Sequence, residues 1–177
     1  MQENLFLRDM GIPGMFFSDG RRIEVMATGL PLEGGVPLAI DATMVSSLHG
    51  DGSAWRHADD TAGCSTQRGE HDKDITYPEL LQSPHVRLLT LACETGGRWS
   101  RTCCRVVREL SWARARRAPR ALQKATRQAF FSRWWSLLSC CQQDSFAASV
   151  LDEGLATLDG WDAADPDLAD VLFAERP

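Results

Sequence analysis

The sequence predicts an α/β fold: a small mixed β-sheet, built from a hairpin plus one further strand, with the α-helices of the C-terminal half packed on it. Three observations point there. Two apolar stretches, Ile23–Ala27 and Leu38–Val45, flank the segment PLEGGVP, whose adjacent glycines suit a tight turn. Val86–Cys93 is the most strongly apolar run of the first half and closes at Glu94 and a Gly96-Gly97 pair, as a buried strand does. From Ser100 onward the apolar residues recur at helical spacing.

At 177 residues the chain is long enough for one domain with a proper core. Its organisation reads as a core over residues 1–97, a basic helical extension over 98–153 and an acidic tail over 154–177 expected to be disordered. Residues 1–20, broken by Gly11, Pro13, Gly14 and Gly20, read as a leading segment that packs on the core. In the first predicted strand Ile23, Val25 and Ala27 alternate with Arg22, Glu24 and Met26, the pattern of a half-buried strand. The second, Leu38–Val45, is apolar on nearly both faces and is therefore expected to be central. Asp41 interrupts it, and a carboxylate there is costly unless paired, protonated or bound to a metal.

Residues 49–70 are polar and without period, which predicts a mobile loop. His49, Asp51, His57, Asp59 and Asp60 in it read as solvated loop residues rather than metal ligands. After Lys73 and Tyr77, Pro78 opens a short helical turn, PELLQ. Ser100 can cap a helix carrying Cys103, Val106 and Leu110 on one face, and Pro119 starts a second with Leu122, Ala125, Ala129, Trp134, Leu137, Leu138 and Cys141 on its apolar side.

The formal net charge of −5 argues against coating nucleic acid or membrane by bulk charge, but the charge is unevenly spread. Arg101, Arg105, Arg108, Arg114, Arg116, Arg117, Arg120 and Lys124 crowd a segment in which Glu109 is the only acid, a pattern suited to phosphate contacts. Trp112, Trp134 and Trp135 lie in the same helical region, where they can stack on bases or join the core. The six cysteines lack the spacing of a structural zinc site and read as reduced thiols. No signal peptide and no run of the roughly 20 apolar residues needed to span a bilayer is present, so an intracellular protein is expected, nuclear if DNA is its partner.

Glu24 and Asp41 on neighbouring strands, with Lys73 on the following element, make a set suited to Mg²⁺-dependent phosphodiester hydrolysis. Carboxylates are the hard oxygen ligands Mg²⁺ prefers, the ion polarises a phosphate and activates water, and a cation positions that water or offsets developing charge. The segments RRIEV, LAIDATMVSSL, KDITY and LACETGG together resemble the PD-(D/E)XK restriction-like endonuclease domain that follows the reverse transcriptase in some non-LTR retroelements. The resemblance covers roughly residues 20–100. It implies that Glu24 is the first acid, Asp41 the second and Lys73 the lysine displaced onto the next element, with Tyr77 four residues beyond. Glu94 matches an acid often found after the last core strand. Ile23 stands where the family has proline and Glu24 where it has aspartate, so what the resemblance implies is a divergent or truncated copy. The resemblance thus implies a Mg²⁺-dependent DNA endonuclease-like domain with Glu24, Asp41 and Lys73 catalytic, Glu24 and Asp41 holding the ion, and the arginine-rich helices on DNA. Two other classes stay open: a non-catalytic helical nucleic-acid-binding protein, and a non-functional retroelement remnant.

Overall fold

A computed structural model describes residues 2–10 and 20–157. Four strands, β1 (Gln2–Phe6), β2 (Arg22–Ala27), β3 (Leu38–Val45) and β4 (Arg87–Glu94), form one mixed sheet in the order β1-β2-β3-β4. The first three make an antiparallel meander, and β4 runs parallel to β3. Two helices, α1 (Cys64–Thr76) and α2 (Pro78–Gln82), lie in the β3–β4 crossover; α3 (Arg101–Ala115) and α4 (Gln123–Thr157) follow β4. The predicted mixed sheet with helices packed on it is therefore present, with one strand more than expected. The leading segment supplies that strand, β1, and part of it, residues 11–19, lies outside the described residues.

The position of β3 follows from its composition. Leu38 and Ile40 point to one side, where they meet Leu32, Leu89, Val106 and Leu110 beneath α3. Ala39 points to the other, into a cluster with Leu7, Ile23, Tyr77, Leu80 and Val86. Alternation along the strand puts Asp41, Thr43 and Val45 on that second side, the side of α1. A strand with a core on both faces needs apolar residues at nearly every position, and β3 supplies them except at Asp41.

The β2–β3 connection takes ten residues rather than a two-residue turn, and Glu33, Gly34 and Gly35 all adopt positive φ (46°, 71° and 84°). The glycines occupy that region without steric cost. Glu33 is tied there by Arg105 of α3, whose guanidinium lies 2.7 Å from its carboxylate.

The expected mobile loop over 49–70 is corrected by the structure. Its second half is the start of α1, and its first half is closed by Trp55, whose ring lies between His49 (centroids 3.4 Å apart) and Arg68 (3.9 Å) while its Nε1 donates to the Leu48 carbonyl. Helix α1 escaped the periodicity because it packs with small, polar residues. Ser65, Thr66 and Gly69 are its buried positions, so no apolar stripe marks it. Gly69 is the point of closest approach: a β-carbon there would meet Val45 Cγ1 at 2.7 Å and Thr43 Cγ2 at 3.2 Å.

Ser100 caps α3 as predicted, its Oγ accepting from the Cys103 N–H at 3.2 Å, and Cys103, Val106, Val107, Ser111 and Ala115 are buried. Pro119 precedes a single 3-10 turn, Arg120–Leu122, before α4. Trp135 of α4 lies against Trp99 and Phe131, and buried Gln142 donates from Nε2 to the Thr95 carbonyl at 3.2 Å. Residues Met1–Gln142 make one compact unit and Gln143–Pro177 a second, whose described part is helical through Gly154 to Thr157. The rest of the predicted acidic tail, residues 158–177, lies outside the described residues. All six cysteines are unpaired, and no helix among the described residues is long and apolar enough to cross a membrane.

Gly69→Ala should destabilise the fold despite alanine's better helix propensity. Overpacking costs about 1–3 kcal/mol, against a propensity gain of about 1 kcal/mol. Urea unfolding should show a net decrease in stability that Val45→Ala in the same chain reduces; an unchanged or raised midpoint in the single variant would mean α1 does not sit so close to the sheet.

Candidate active site

The β2–β3 ladder pairs Ala27 with Leu38, Met26 with Ala39 and Val25 with Ile40, and there it stops. Both strands continue, so they form a fork. At its mouth the backbone N–H of Ala42 donates to Glu24 Oε2 at 3.0 Å, a side-chain carboxylate standing in for a strand carbonyl. Glu24 thus bonds the backbone of the residue that follows Asp41, across the mouth of the fork.

Asp41 is only 2% exposed. Lys73, one turn before the end of α1, brings its Nζ to 2.9 Å from Asp41 Oδ2. That oxygen receives no aligned hydrogen bond among the described residues, so the link is a charge–charge contact rather than a directed bond. Tyr77 completes the group. Its hydroxyl donates to the Arg22 carbonyl at 2.8 Å, and the Lys73 ammonium lies 6.0 Å from its ring centroid. Its pKa is pushed up to about 12, first by burial, then by the charge of Asp41 and by Asp41 as a further hydrogen-bond acceptor. Arg21 opposes the rise and Glu24 adds to it.

The local sequence explains this placement. Gly69 lets α1 come close enough to β3 for Lys73, one turn further on, to reach Asp41. Arg21, at the threshold of β2, donates to the Thr76 carbonyl and spans both Glu79 oxygens (3.2 and 2.8 Å), fixing β2 to the α1–α2 junction. The extra methylene of Glu24 relative to aspartate lengthens the arm that meets Ala42 N–H.

Of the predicted site residues, Lys73 and Asp41 are in contact, and Glu24 bonds the backbone N–H of Ala42, the residue after Asp41. Glu94 lies apart. It ends β4 paired with Val45, while Asp41 pairs with Thr90, so four residues, or about 13 Å, separate it from the fork along the strand. Its nearest charge is Arg98, at 3.7 Å. The predicted nucleic-acid-binding residues lie on or beyond α3, which packs on the face of the sheet opposite to Asp41. Arg105 is committed to Glu33 (2.7 Å) and Glu109 (3.6 Å), and its pKa is raised, chiefly by the hydrogen bond to Glu33. Arg114 lies over the Phe130 ring at 5.2 Å. Arg101, Arg108, Arg116, Arg117, Arg120 and Lys124 are exposed and without an ion pair among the described residues. Trp112 is 41% exposed beneath Arg127, whereas Trp134 lies against Phe130 and Trp135 against Trp99.

Thr90 was not legible as a site residue. It is 6% exposed, sits beside Asp41 in the β3–β4 register, and its Oγ1 has no hydrogen-bond partner among the described residues. A threonine in an apolar strand sends no signal of its own.

Among the described residues no group of three or more His, Cys, Asp or Glu side chains is placed to hold a metal ion. Mg²⁺ keeps several waters and needs only one or two carboxylates together with a substrate phosphate. Asp41 Oδ2, buried and 2.9 Å from the Lys73 ammonium, is a hard oxygen of the kind Mg²⁺ takes. No family model, curated protein or solved structure matches this chain.

Tyr77 is the only tyrosine, so tyrosinate absorbance reports it alone. Its native midpoint should lie at about 12 and fall to about 10 in denaturant. Between those values the folded state holds a proton that the unfolded chain has released. This contribution to stability is complete below about pH 10 and declines as pH rises toward 12. Asp41→Asn should lower the native midpoint; a midpoint that does not move would separate Tyr77 from Asp41.

Proposed function

We propose that the fork between β2 and β3 is the centre of a Mg²⁺-dependent DNA endonuclease-like domain, a divergent relative of the retroelement nucleases its sequence resembles. The observation that carries this reading is the 2.9 Å contact of Lys73 Nζ with a carboxylate buried at the mouth of the fork where Glu24 also turns in.

Glu24 and Asp41 would hold the ion. When bound, Mg²⁺ supplies polarisation of the phosphate and a more acidic bound water. Lys73 brings an ammonium to the same spot, where it offsets charge developing on a phosphate oxygen and orients the attacking water. Tyr77 holds the Arg22 carbonyl, and with it the first residues of β2, so that Glu24 keeps its direction. Burial around Asp41 strengthens each of these interactions by excluding water.

A second reading is favoured by a separate observation. The cations Arg108, Arg116, Arg117, Arg120 and Lys124, exposed and without an ion pair among the described residues, lie on or just after α3, which packs on the face of the sheet away from Asp41. Such a surface binds phosphates without any catalytic centre, which fits a non-catalytic nucleic-acid-binding protein. Under the nuclease reading the same surface binds DNA at a distance from the cleavage point.

Plasmid nicking in millimolar Mg²⁺ or Mn²⁺ tests the first reading. Asp41→Ala should abolish cleavage and Lys73→Ala should slow it, since lysine acts on water or phosphate and not on the ion. Ion binding should raise the parent's melting midpoint, about 1 kcal/mol of binding free energy giving about 2–4 °C in a chain of this size, and should leave Asp41→Ala unmoved. No nicking together with an unmoved midpoint in the parent would end the nuclease reading and leave a remnant or a pure binder.

Salt dependence separates those two. Replacing Arg114, Arg116 and Arg117 together with alanine should flatten the slope of log affinity against log salt by about 0.9 for each phosphate that is no longer neutralised. An unchanged slope would make them an ordinary solvated face.

A further inference from the structure

Strand β4 is an edge of the sheet, bonded to β3 on one side only. Its last residues are covered on the outer side by the chain's own return: Glu94 N–H donates to the Arg98 carbonyl at 2.7 Å, Ser100 N–H donates to the Ala92 carbonyl at 2.9 Å, and Cys93 bridges antiparallel to Trp99. From Arg87 to Leu91 no such cover exists among the described residues. A cavity of about 260 Å³ lies along this open stretch. Its floor is β4 itself, one wall is α1 with Glu70 and Asp74, and the other is α3 with Thr102 and Arg105.

Two buried polar atoms on this cavity's lining have no hydrogen-bond partner among the described residues: Glu70 Oε1 and Thr90 Oγ1, the latter on a residue only 6% exposed. A buried acceptor or hydroxyl left unsatisfied is unfavourable, so a ligand able to donate to both is strongly rewarded. The charges are equally uneven. Arg105 on the α3 wall is neutralised by Glu33 and Glu109, whereas Glu70 and Asp74 on the α1 wall have no ion pair among the described residues. The wall of α1 is therefore anionic and the opposite wall close to neutral. Arg87, exposed at the mouth, adds one cation at the start of the strand.

We propose that the β4 edge between Arg87 and Leu91 is a docking site for an extended peptide carrying two basic residues at alternate positions, added to the sheet as a fifth strand. The backbone of such a peptide would use the free N–H and C=O groups of β4, as strand addition does elsewhere. Its side chains would alternate between the two walls. Those facing α1 meet Glu70 and Asp74, which stand four residues apart on the helix, about 6 Å. Alternate residues of a strand stand about 6.6–6.8 Å apart, a close match. A lysine ammonium carries three donors, enough for Glu70 Oε1 and Thr90 Oγ1 together. The residue between the two cations faces Thr102 and is small and polar. A second copy of this chain is a poorer fit, because the β4 sequence RLLTLACE offers no two cations at alternate positions. The inference goes beyond the phosphodiesterase reading and does not depend on it.

The test uses the full chain and a capped, fluorescein-labelled Val-Lys-Thr-Lys-Val peptide, read by anisotropy. The parent should bind it. The same peptide N-methylated on alternate amides, or with glutamate for lysine, should bind at least tenfold more weakly. Glu70→Gln with Asp74→Asn should weaken binding of the unmodified peptide at least tenfold, as should Thr90→Val, while Asp59→Asn with Asp60→Asn, exposed acids of the preceding loop, should leave it unchanged. Equal binding of the N-methylated peptide overturns strand addition, whatever the variants do. No binding by the parent at millimolar peptide also overturns it, and so does a dimer in sedimentation that Arg87→Glu, at an exposed position of the same edge, dissolves, which would assign the edge to a second copy.

Discussion

One buried charge organises this protein. Asp41 stands in the middle of a strand that has a core on both faces, where an uncompensated carboxylate is heavily disfavoured. The fold answers by bringing an ammonium to it, and that requirement shapes the β3–β4 crossover. Lys73 can reach Asp41 only from a helix lying close to the sheet, and the helix lies close because Gly69 has no side chain at the contact with Val45 and Thr43. A buried pair of this kind stabilises little in net terms, since its attraction largely offsets the desolvation of both partners, but removing either partner leaves the other exposed to the full cost. The pair therefore fixes where α1 sits more than it adds to stability.

The same constraint decides which parts of the fold were legible in the sequence. Strands β2, β3 and β4 declare themselves through alternation or continuous apolar runs, and Asp41 declares itself by interrupting one. The Ser100 cap and the faces of α3 follow from side-chain spacing. Helix α1 does not, because a helix that must approach a sheet closely buries Ser65, Thr66 and Gly69, and such residues look like loop. Strand β1 was equally hidden: five residues of which none announces a period, next to a glycine-broken stretch. Of the site, the three residues that carry charge were readable. Thr90, Tyr77's bond to Arg22 and the fork itself were not, since they arise from register, which a single sequence does not state.

Charge order along the chain also misleads about charge order in space. The arginine-rich segment follows β4 directly, and on the sequence alone it joins the acids and Lys73 in one surface. Helix α3, however, takes the face of the sheet that Leu38, Ile40, Leu89 and Leu91 present, and Asp41 points away from it. Layers of this kind stand about 10 Å apart. A single ligand that touched both the fork and the basic helices would have to pass around an edge of the sheet.

Helix α1 connects the fork to the open edge of β4. Lys73 faces inward to Asp41, while Glu70 and Asp74, three residues before it and one after, line the cavity along β4. Thr90 lies in the β4 position paired with Asp41 and lines the same cavity. A cation seated between Glu70 and Thr90 would therefore stand within roughly one helical turn of the Lys73 ammonium, in surroundings where like charges are poorly screened. It would also supply Thr90 with the hydrogen bond it lacks. A peptide cation bound there would thus lie near the Lys73–Asp41 pair. Two strands, β3 and β4, separate the open edge from the fork, and the polarity that concealed α1 in the sequence is what lets one helix face both.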